Sequence, residues 1–122
     1  MPSRERVEAF IARVVSGAHD LAIEEFYTPD ATMQENQNPP RIGRDTLVAQ
    51  ERAVMDRASR IVTHPVETWL IDGDKVVINW VFEFEFPDGR GFRMEELALQ
   101  RWEGDRIAEE RFFYDPGQRV LK

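Results

Sequence analysis

The N-terminal half of the chain carries apolar residues at the spacing of α-helices. Between Ser3 and Gly17 they recur every three or four positions, and charged residues fill most of the gaps. This pattern predicts an amphipathic helix that has Ser3 as its N-cap and ends at Gly17. A short second helix is predicted in "LAIEEFY" after a cap at Asp20, and a third begins from a cap at Asp45.

Strand-like sequence appears once briefly and then continuously. The segment "ATMQEN" predicts a brief strand, and "NQNPPRIG" predicts an exposed loop because it has two prolines and no periodicity. After residue 61 four β-rich runs follow, separated by the hairpin-turn sequences "DGD", "PDGR" and "EGD": "IVTHPVETWLI", "KVVINWVFEFEF", "GFRMEELALQRW" and "RIAEERFFY". Three helices before a four-stranded antiparallel meander predict an α+β fold with the helices on one face of the sheet.

The aromatic content of the second run predicts a curved sheet. Trp80, Phe82, Phe84 and Phe86 alternate with polar or smaller residues and therefore share one face of a strand. A long strand with this much aromatic volume is expected to bend around the helices and to enclose a cone with a cavity at its open end.

Composition narrows the class of protein and its partners. The 122 residues, 42% of them hydrophobic, are sufficient for one core, so residues 1–122 are expected to form a single domain. Sixteen basic and twenty-three acidic residues give a net charge of −7, which disfavours nucleic acid and anionic membranes and favours a small-molecule or protein partner. There is no cysteine, and no apolar stretch has the length of a signal peptide or a membrane span, so a soluble cytoplasmic protein is expected.

Three segments give the chain a family resemblance. They are "AHDLAIEEFYTPDATM", the glycine of "RIGRDTL" and the closing "RWEGDRIAEERFFYDP". In this order they resemble the SnoaL-like group of the nuclear transport factor 2-like superfamily over nearly the whole chain. The resemblance implies a cone made from a curved sheet and three helices that usually dimerises through the sheet. It leaves the chemistry open among cyclases, dehydratases, isomerases, epoxide hydrolases and non-catalytic binding proteins.

Enzymes of the superfamily suggest catalytic candidates. The segment "YTPDATMQEN" is similar to ketosteroid isomerase, which implies that Glu35 is a proton-shuttling base or polar anchor; the alternative is a solvated loop residue. The two oxyanion-binding positions of that family correspond to Phe10 and Ala98, which carry no hydrogen-bond donor. A carboxylate of the epoxide hydrolases corresponds to Phe112. The acid/base aspartate of SnoaL-type cyclases corresponds to Asp115, which is equally well explained as a strand terminator before a proline.

The isomerase alignment also suggests which side chains face the cavity. It places Glu96, Ala98, Gln100 and Trp102 inside, whereas the opposite register would place Leu97 and Leu99 there, and sequence does not fix the choice. On the last strand it points Glu110, Phe112 and Tyr114 inward. The catalytic candidates are thus Glu35, Glu96 and Asp115, and the pocket candidates are Phe10, Tyr27, Met55, Trp80, Phe82, Ala98, Gln100, Trp102, Glu110, Phe112 and Tyr114.

Two function classes remain from the sequence. The first is an enzyme that performs acid/base chemistry on a small, mostly apolar cyclic or aromatic molecule without a cofactor. The second is a non-catalytic binding or dimerisation module, whose cavity holds a ligand or is filled by side chains. His19 and His64 belong to no recognisable metal-binding constellation, so no metal is expected. Leu97, Leu99 and Phe113 are candidates for the convex interface of a homodimer.

Overall fold

The computed structural model describes residues 1–122, which form three helices and a curved seven-stranded sheet. The elements in chain order are α1 (Arg4–Val15), α2 (His19–Phe26), β1 (Tyr27–Glu35), β2 (Arg41–Ile42), α3 (Arg44–Arg57), β3 (Arg60–Thr63), β4 (Trp69–Asp72), β5 (Lys75–Glu85), β6 (Gly91–Glu103), β7 (Arg106–Phe113) and a final 3₁₀ helix (Pro116–Arg119). The predicted α+β class with three helices against a curved sheet is confirmed. None of the helices is long and apolar enough to cross a membrane.

The helix starts follow local capping, with two differences from the sequence prediction. Ser3 caps α1 as expected, because its hydroxyl accepts a hydrogen bond from the Arg6 amide at 3.0 Å. The second helix begins at His19, so Asp20 lies in its first turn and accepts from Arg52 Nε at 3.0 Å instead of capping. The third helix begins one residue before Asp45. Carboxylates in a first turn are still favourable there, since they face the positive end of the helix dipole.

The sheet is mixed, although the sequence predicted an antiparallel meander. The order is β2-β1-β7-β6-β5-β3, with β4 also paired to β5. The meander β5-β6-β7 is present, but β1 lies parallel to β7, a long-range pairing that adjacent hairpin signals do not encode. The predicted run "IVTHPVETWLI" is two strands, because Pro65 has no amide hydrogen to donate within a ladder.

Burial along β6 settles which side chains face the helices. Glu96, Ala98, Gln100 and Trp102 are buried, whereas Leu97 and Leu99 are 45% and 41% exposed. The favoured register is therefore correct. The centre of the core is the ring of Phe10 on α1, which meets four aromatic rings edge-on at centroid distances of 5.4 to 6.2 Å: Phe26, Tyr27, Trp80 and Trp102. The helices are thus anchored on the concave face of the sheet, and a space remains at its open end.

The C-terminal residues cover an edge that β7 leaves free. Pairing between β6 and β7 ends where Leu97 lies opposite Phe113. Beyond that point the strap, which we define as residues 115–122, runs along β6. The Gln118 side chain binds both the amide and the carbonyl of Glu95, at 2.9 and 3.0 Å. Gly91 exchanges two backbone hydrogen bonds with Lys122, and a Cβ at Gly91 would lie 2.1 Å from the carbonyl oxygen of Phe84, so only glycine fits there.

Candidate active site

A cavity of about 300 Å³ lies between the helices and the open end of the sheet. This volume is at the lower end of the range for small-molecule sites. Most of the wall is apolar, and the aromatic or sulfur-containing side chains in it are Phe10, Trp80, Phe82, Phe84, Phe86, Phe92, Phe112, Tyr27, Met33 and Met94. Trp80 and Phe82 line the cavity and do not fill it, so the filled-core version of the second hypothesis is wrong.

Glu96 is a buried carboxyl group in the apolar wall. It lies on β6 opposite Trp80, is 8% exposed, and forms no hydrogen bond with another side chain or the backbone. Burial raises the pKa of Glu96 to about 8, and the negative charges of Glu35 and Glu110 add to the effect while Arg119 opposes it. The carboxyl group is therefore mainly protonated at neutral pH and can donate a hydrogen bond or a proton into the cavity.

Glu110, on the neighbouring strand β7, is buried but well bonded. It accepts hydrogen bonds from the Tyr27 hydroxyl and from Gln100 Nε2, the latter at 2.6 Å, and Gln100 in turn accepts from Trp102 Nε1 at 2.9 Å. Burial raises the pKa of Glu110 to about 7, against the opposing effect of the bonds from Gln100 and Tyr27. Burial and the charge of Glu110 together raise the pKa of Tyr27 well above its usual value. This chain of bonds holds Glu110 in the floor of the cavity.

Glu35 is the third carboxyl group of the cavity and lies in a different electrostatic setting. It ends β1, is half-buried, and pairs with Arg41 Nη2 at 2.8 Å. Its other oxygen accepts from the Tyr114 hydroxyl at 3.2 Å, while Arg41 is steadied by Gln50 at 2.8 Å. The guanidinium forms a charge-assisted hydrogen bond with this carboxylate. The cavity thus contains one carboxyl group that is paired with a cation and another, Glu96, that has no protein partner.

The helical wall contributes a fourth polar group. His19 is buried and lines the cavity, with its Nε2 2.7 Å from the Thr63 hydroxyl and its Nδ1 3.4 Å from Glu51. No sequence motif identified His19 as a cavity residue. His64 pairs with Glu83 at 2.5 Å outside the cavity. No group of three or more metal-ligating side chains converges in the structure.

The structure brings most of the predicted site residues together. Eight of them line the cavity: Glu35, Glu96, Phe10, Tyr27, Trp80, Phe82, Glu110 and Phe112. Tyr114 joins the site through its bond to Glu35. Ala98, Gln100 and Trp102 are on the predicted face but lie in the packed core, where Gln100 and Trp102 support Glu110.

Two predicted residues lie elsewhere. Asp115 is exposed and caps the final 3₁₀ helix, where its carboxylate accepts from the Gly117 amide at 2.9 Å. This is the terminator role that the sequence left open, and it corrects the catalytic assignment. Met55 is half-buried on α3 but does not line the cavity, because the wall is formed by the face of α3 that carries Glu51, Val54 and Arg57.

Sequence reasoning missed several cavity residues. Arg41, Glu51, Arg57 and Arg119 all line the cavity, yet none belongs to a motif or a strand alternation that would have identified it. Arg119 follows a proline in a segment without periodicity. Glu51 lies within α3, and the side of that helix that faces the cavity depends on the tertiary packing.

The sequence and the fold match known proteins. The family model for the SnoaL-like domain matches residues 7–110, which confirms the resemblance inferred from the sequence. No protein with a curated description is significantly similar in sequence.

Solved structures share the fold at low sequence identity. A protein of unknown function from Xanthomonas campestris with a cystatin-like fold superimposes with a TM-score of 0.80 at 19% identity, covering 97% of this chain and 95% of its own. A hypothetical protein from Catenulispora acidiphila with a ketosteroid isomerase-like fold, in complex with trimethylamine, has a TM-score of 0.78 at 18% identity, covering 97% and 91%. A protein from Mesorhizobium loti, named as a candidate SnoaL-like polyketide cyclase, has a TM-score of 0.77 at 22% identity, covering 93% and 100%.

These structural likenesses establish the fold, and the family match extends over most of the length of the sequence. The protein therefore belongs to the family of SnoaL-like domains.

Proposed function

We propose that this protein catalyses proton transfer on a small, mostly apolar cyclic or aromatic molecule bound in the cavity, using its own carboxyl groups and no cofactor. The observation that carries the proposal is Glu96, a buried acid without a protein partner in the wall of an open apolar cavity. A carboxyl group with this burial is costly to keep unless it serves a bound molecule, and perturbed acids in clefts are frequent at functional sites.

Glu96 and Glu35 supply complementary roles. Glu96, whose pKa is about 8, is protonated at neutral pH and donates to an oxygen atom of the substrate. Glu35, paired with Arg41 at 2.8 Å, is the carboxylate that accepts a proton from carbon. A carboxyl group with a raised pKa beside a second carboxyl group in a different environment is a usual arrangement for acid and base in one site.

The wall supports a flat apolar substrate. The rings of Trp80 and Phe82 are stacked at 5.7 Å between centroids and both line the cavity, as do Phe84 and Phe92. A ligand ring packed against them gains from burial and from offset stacking. The volume of about 300 Å³ fits a molecule of one or two rings. The name of the Mesorhizobium loti neighbour, a candidate polyketide cyclase, is consistent with a cyclic or aromatic substrate.

The test is exchange of the acidic α-hydrogens of 2-tetralone, a neutral bicyclic ketone, in D₂O at pH 7, followed by proton NMR. Wild-type protein is expected to accelerate exchange above the buffer rate. Glu35→Gln removes the base and should reduce the acceleration by about a hundredfold or more. Glu96→Leu removes both the acidic proton and the hydrogen-bond donor, whereas Glu96→Gln keeps a donor that cannot release a proton. The acceleration of exchange should therefore fall further in Glu96→Leu than in Glu96→Gln.

The matched control is Glu95→Gln, since Glu95 neighbours Glu96 on β6 but points to solvent. This variant should accelerate the α-hydrogen exchange of 2-tetralone as much as the wild type does. Acceleration that survives in both Glu35→Gln and Glu96→Leu would contradict the assigned roles. Saturable binding of 2-tetralone without any acceleration would favour a non-catalytic binding protein, the alternative that the apolar Phe10 and Ala98 positions suggest.

A further inference from the structure

The C-terminal strap places a cation at the cavity. Arg119 lies between two attachment points of the strap on β6, the Gln118 side chain at Glu95 and the backbone pair of Lys122 with Gly91. Its guanidinium lines the cavity. The position is thus fixed by hydrogen bonds on both sides of Arg119 in the chain, although the side chain itself is exposed.

The charge of Arg119 is not neutralised by the protein. Its one side-chain hydrogen bond goes to the Tyr114 hydroxyl at 3.3 Å, and no carboxylate lies within ion-pair distance. Arg41, in the same cavity, is different because Glu35 takes up its charge at 2.8 Å. Tyr114 donates to Glu35 and accepts from Arg119, so it links the two groups without removing either charge.

None of the remaining carboxyl groups of the cavity forms an ion pair with Arg119. Glu96 is mainly protonated, and Glu110 is held in the floor by Tyr27 and Gln100. Glu51 lies on the helical wall, 3.4 Å from His19. Arg57, in the last turn of α3, is a second lining cation without an ion pair. In a chain of net charge −7, the cavity therefore has two lining arginines without an ion pair.

We propose that the ligand is a cyclic or aromatic carboxylate whose anionic group binds Arg119 at the strap while its ring lies along Trp80 and Phe82 towards Glu96. A guanidinium presents two parallel N–H donors that match the geometry of a carboxylate. The attraction also draws an anion to the cavity of a protein that otherwise repels it. This inference rests on the proposed function, because it names the substrate class of the same site.

The test compares two probes of equal shape, 2-naphthoic acid and 2-naphthamide, by isothermal titration calorimetry at about pH 6.5, where the acid is ionised and Glu96 is protonated. Wild-type protein is expected to bind the carboxylate about tenfold more tightly than the amide. Arg119→Gln should abolish that preference and leave amide binding unchanged, and Arg119→Lys should retain part of it. Raising the ionic strength should also reduce it, since the guanidinium is exposed.

The control variant is Arg90→Gln, which removes an equally exposed arginine that is paired with Asp88 in the turn before β6. It should bind both probes as the wild type does. Equal or tighter binding of the amide by the wild type, or an undiminished preference in Arg119→Gln, would overturn the inference while leaving the proposed function intact. If neither probe binds, both this inference and the binding of apolar ring compounds are contradicted.

Discussion

Glu95 and Glu96 show how position alone gives identical side chains different chemistry. Strand alternation points Glu95 into solvent and Glu96 into the cavity. Glu96 acquires a strongly raised pKa, because the apolar wall penalises its charged form. The sequence could suggest this pair of faces, since the alternation along "MEELALQRW" is clear, but it could not fix the register. The packing of Ala98 and Trp102 against the helices decides that.

The raised pKa of Glu96 makes folding stability depend on pH. The folded protein keeps a proton at Glu96 up to about pH 8, whereas the unfolded chain releases it near the usual value of 4.5. The contribution of Glu96 to the free energy of unfolding is therefore fully present below pH 4.5. It is lost as the pH rises to about 8, at about 1.4 kcal/mol per pH unit. Relative to wild type, Glu96→Gln should gain a few kcal/mol of unfolding free energy between pH 5 and pH 8, as measured by urea denaturation. A difference between the two proteins that stays constant with pH would show that Glu96 is solvated.

Tyr27 sets the protonation of Glu110. Tyr27→Phe keeps the ring that packs 6.0 Å from Phe10 but removes the hydroxyl that donates to Glu110. Because that bond favours the charged carboxylate, its loss should raise the pKa of Glu110 above about 7 and cost about 1–2 kcal/mol of stability. Carbon-13 NMR of labelled glutamate side chains would measure the shift. An unchanged titration of Glu110 would mean that Tyr27 does not stabilise its anion.

At the scale of elements, caps, turns and periodicity were sufficient to predict the helices and strands whose neighbours in sequence also pair in space. The Ser3 cap and the glycine-containing turns predicted α1 and the β5-β6-β7 meander to within about two residues. They were insufficient for the parallel pairing of β1 with β7, which joins residues about eighty positions apart. The strap was also missed, since "DPGQRV" has no periodicity and is attached to β6 by one side-chain amide and one backbone pair.

Gln118 is one of the two attachment points of the strap on β6. Its amide group bonds both polar atoms of the Glu95 backbone. In Gln118→Ala we expect the Glu95 amide hydrogen to exchange with solvent at least tenfold faster, because local opening frees it without global unfolding. Hydrogen exchange followed by NMR would test this, with Gln37→Ala in the exposed loop as the control. Unchanged protection at Glu95 would show that other contacts hold the strap.

At the scale of the whole molecule, the site depends on curvature. Glu35, Glu96 and Glu110 come from three strands, and they share one cavity because the sheet bends around Phe10 and its aromatic neighbours. The sequence predicted the aromatic face and two of these carboxylates as catalytic. It could not predict the arginines, because Arg41 comes from a two-residue strand and Arg119 from the strap. Neither residue belongs to a periodic pattern or a motif that is visible in the sequence.

The convex face of the sheet is the predicted interface of a homodimer. Leu97, Leu99 and Phe113 lie opposite the cavity face and are 45%, 41% and 38% exposed. We expect the chain to form a dimer at micromolar concentration and the double variant Leu97→Lys, Leu99→Lys to be monomeric, because lysines in an apolar interface lose hydration. Sedimentation velocity would measure both. Leu70→Lys, at an exposed leucine of β4, should remain dimeric. A monomeric wild type would remove the prediction.

Proton transfer in this cavity requires that Glu96 is a protonated acid within reach of a bound ligand. The most direct measurement is a pH titration of the glutamate side-chain carboxyl carbons by carbon-13 NMR, with Glu96→Gln to assign the signal, repeated with 2-tetralone present. We expect the Glu96 signal to titrate at about pH 8 and to shift when the ketone is added. A Glu96 signal that titrates near 4.5 and does not respond to the ketone would contradict it.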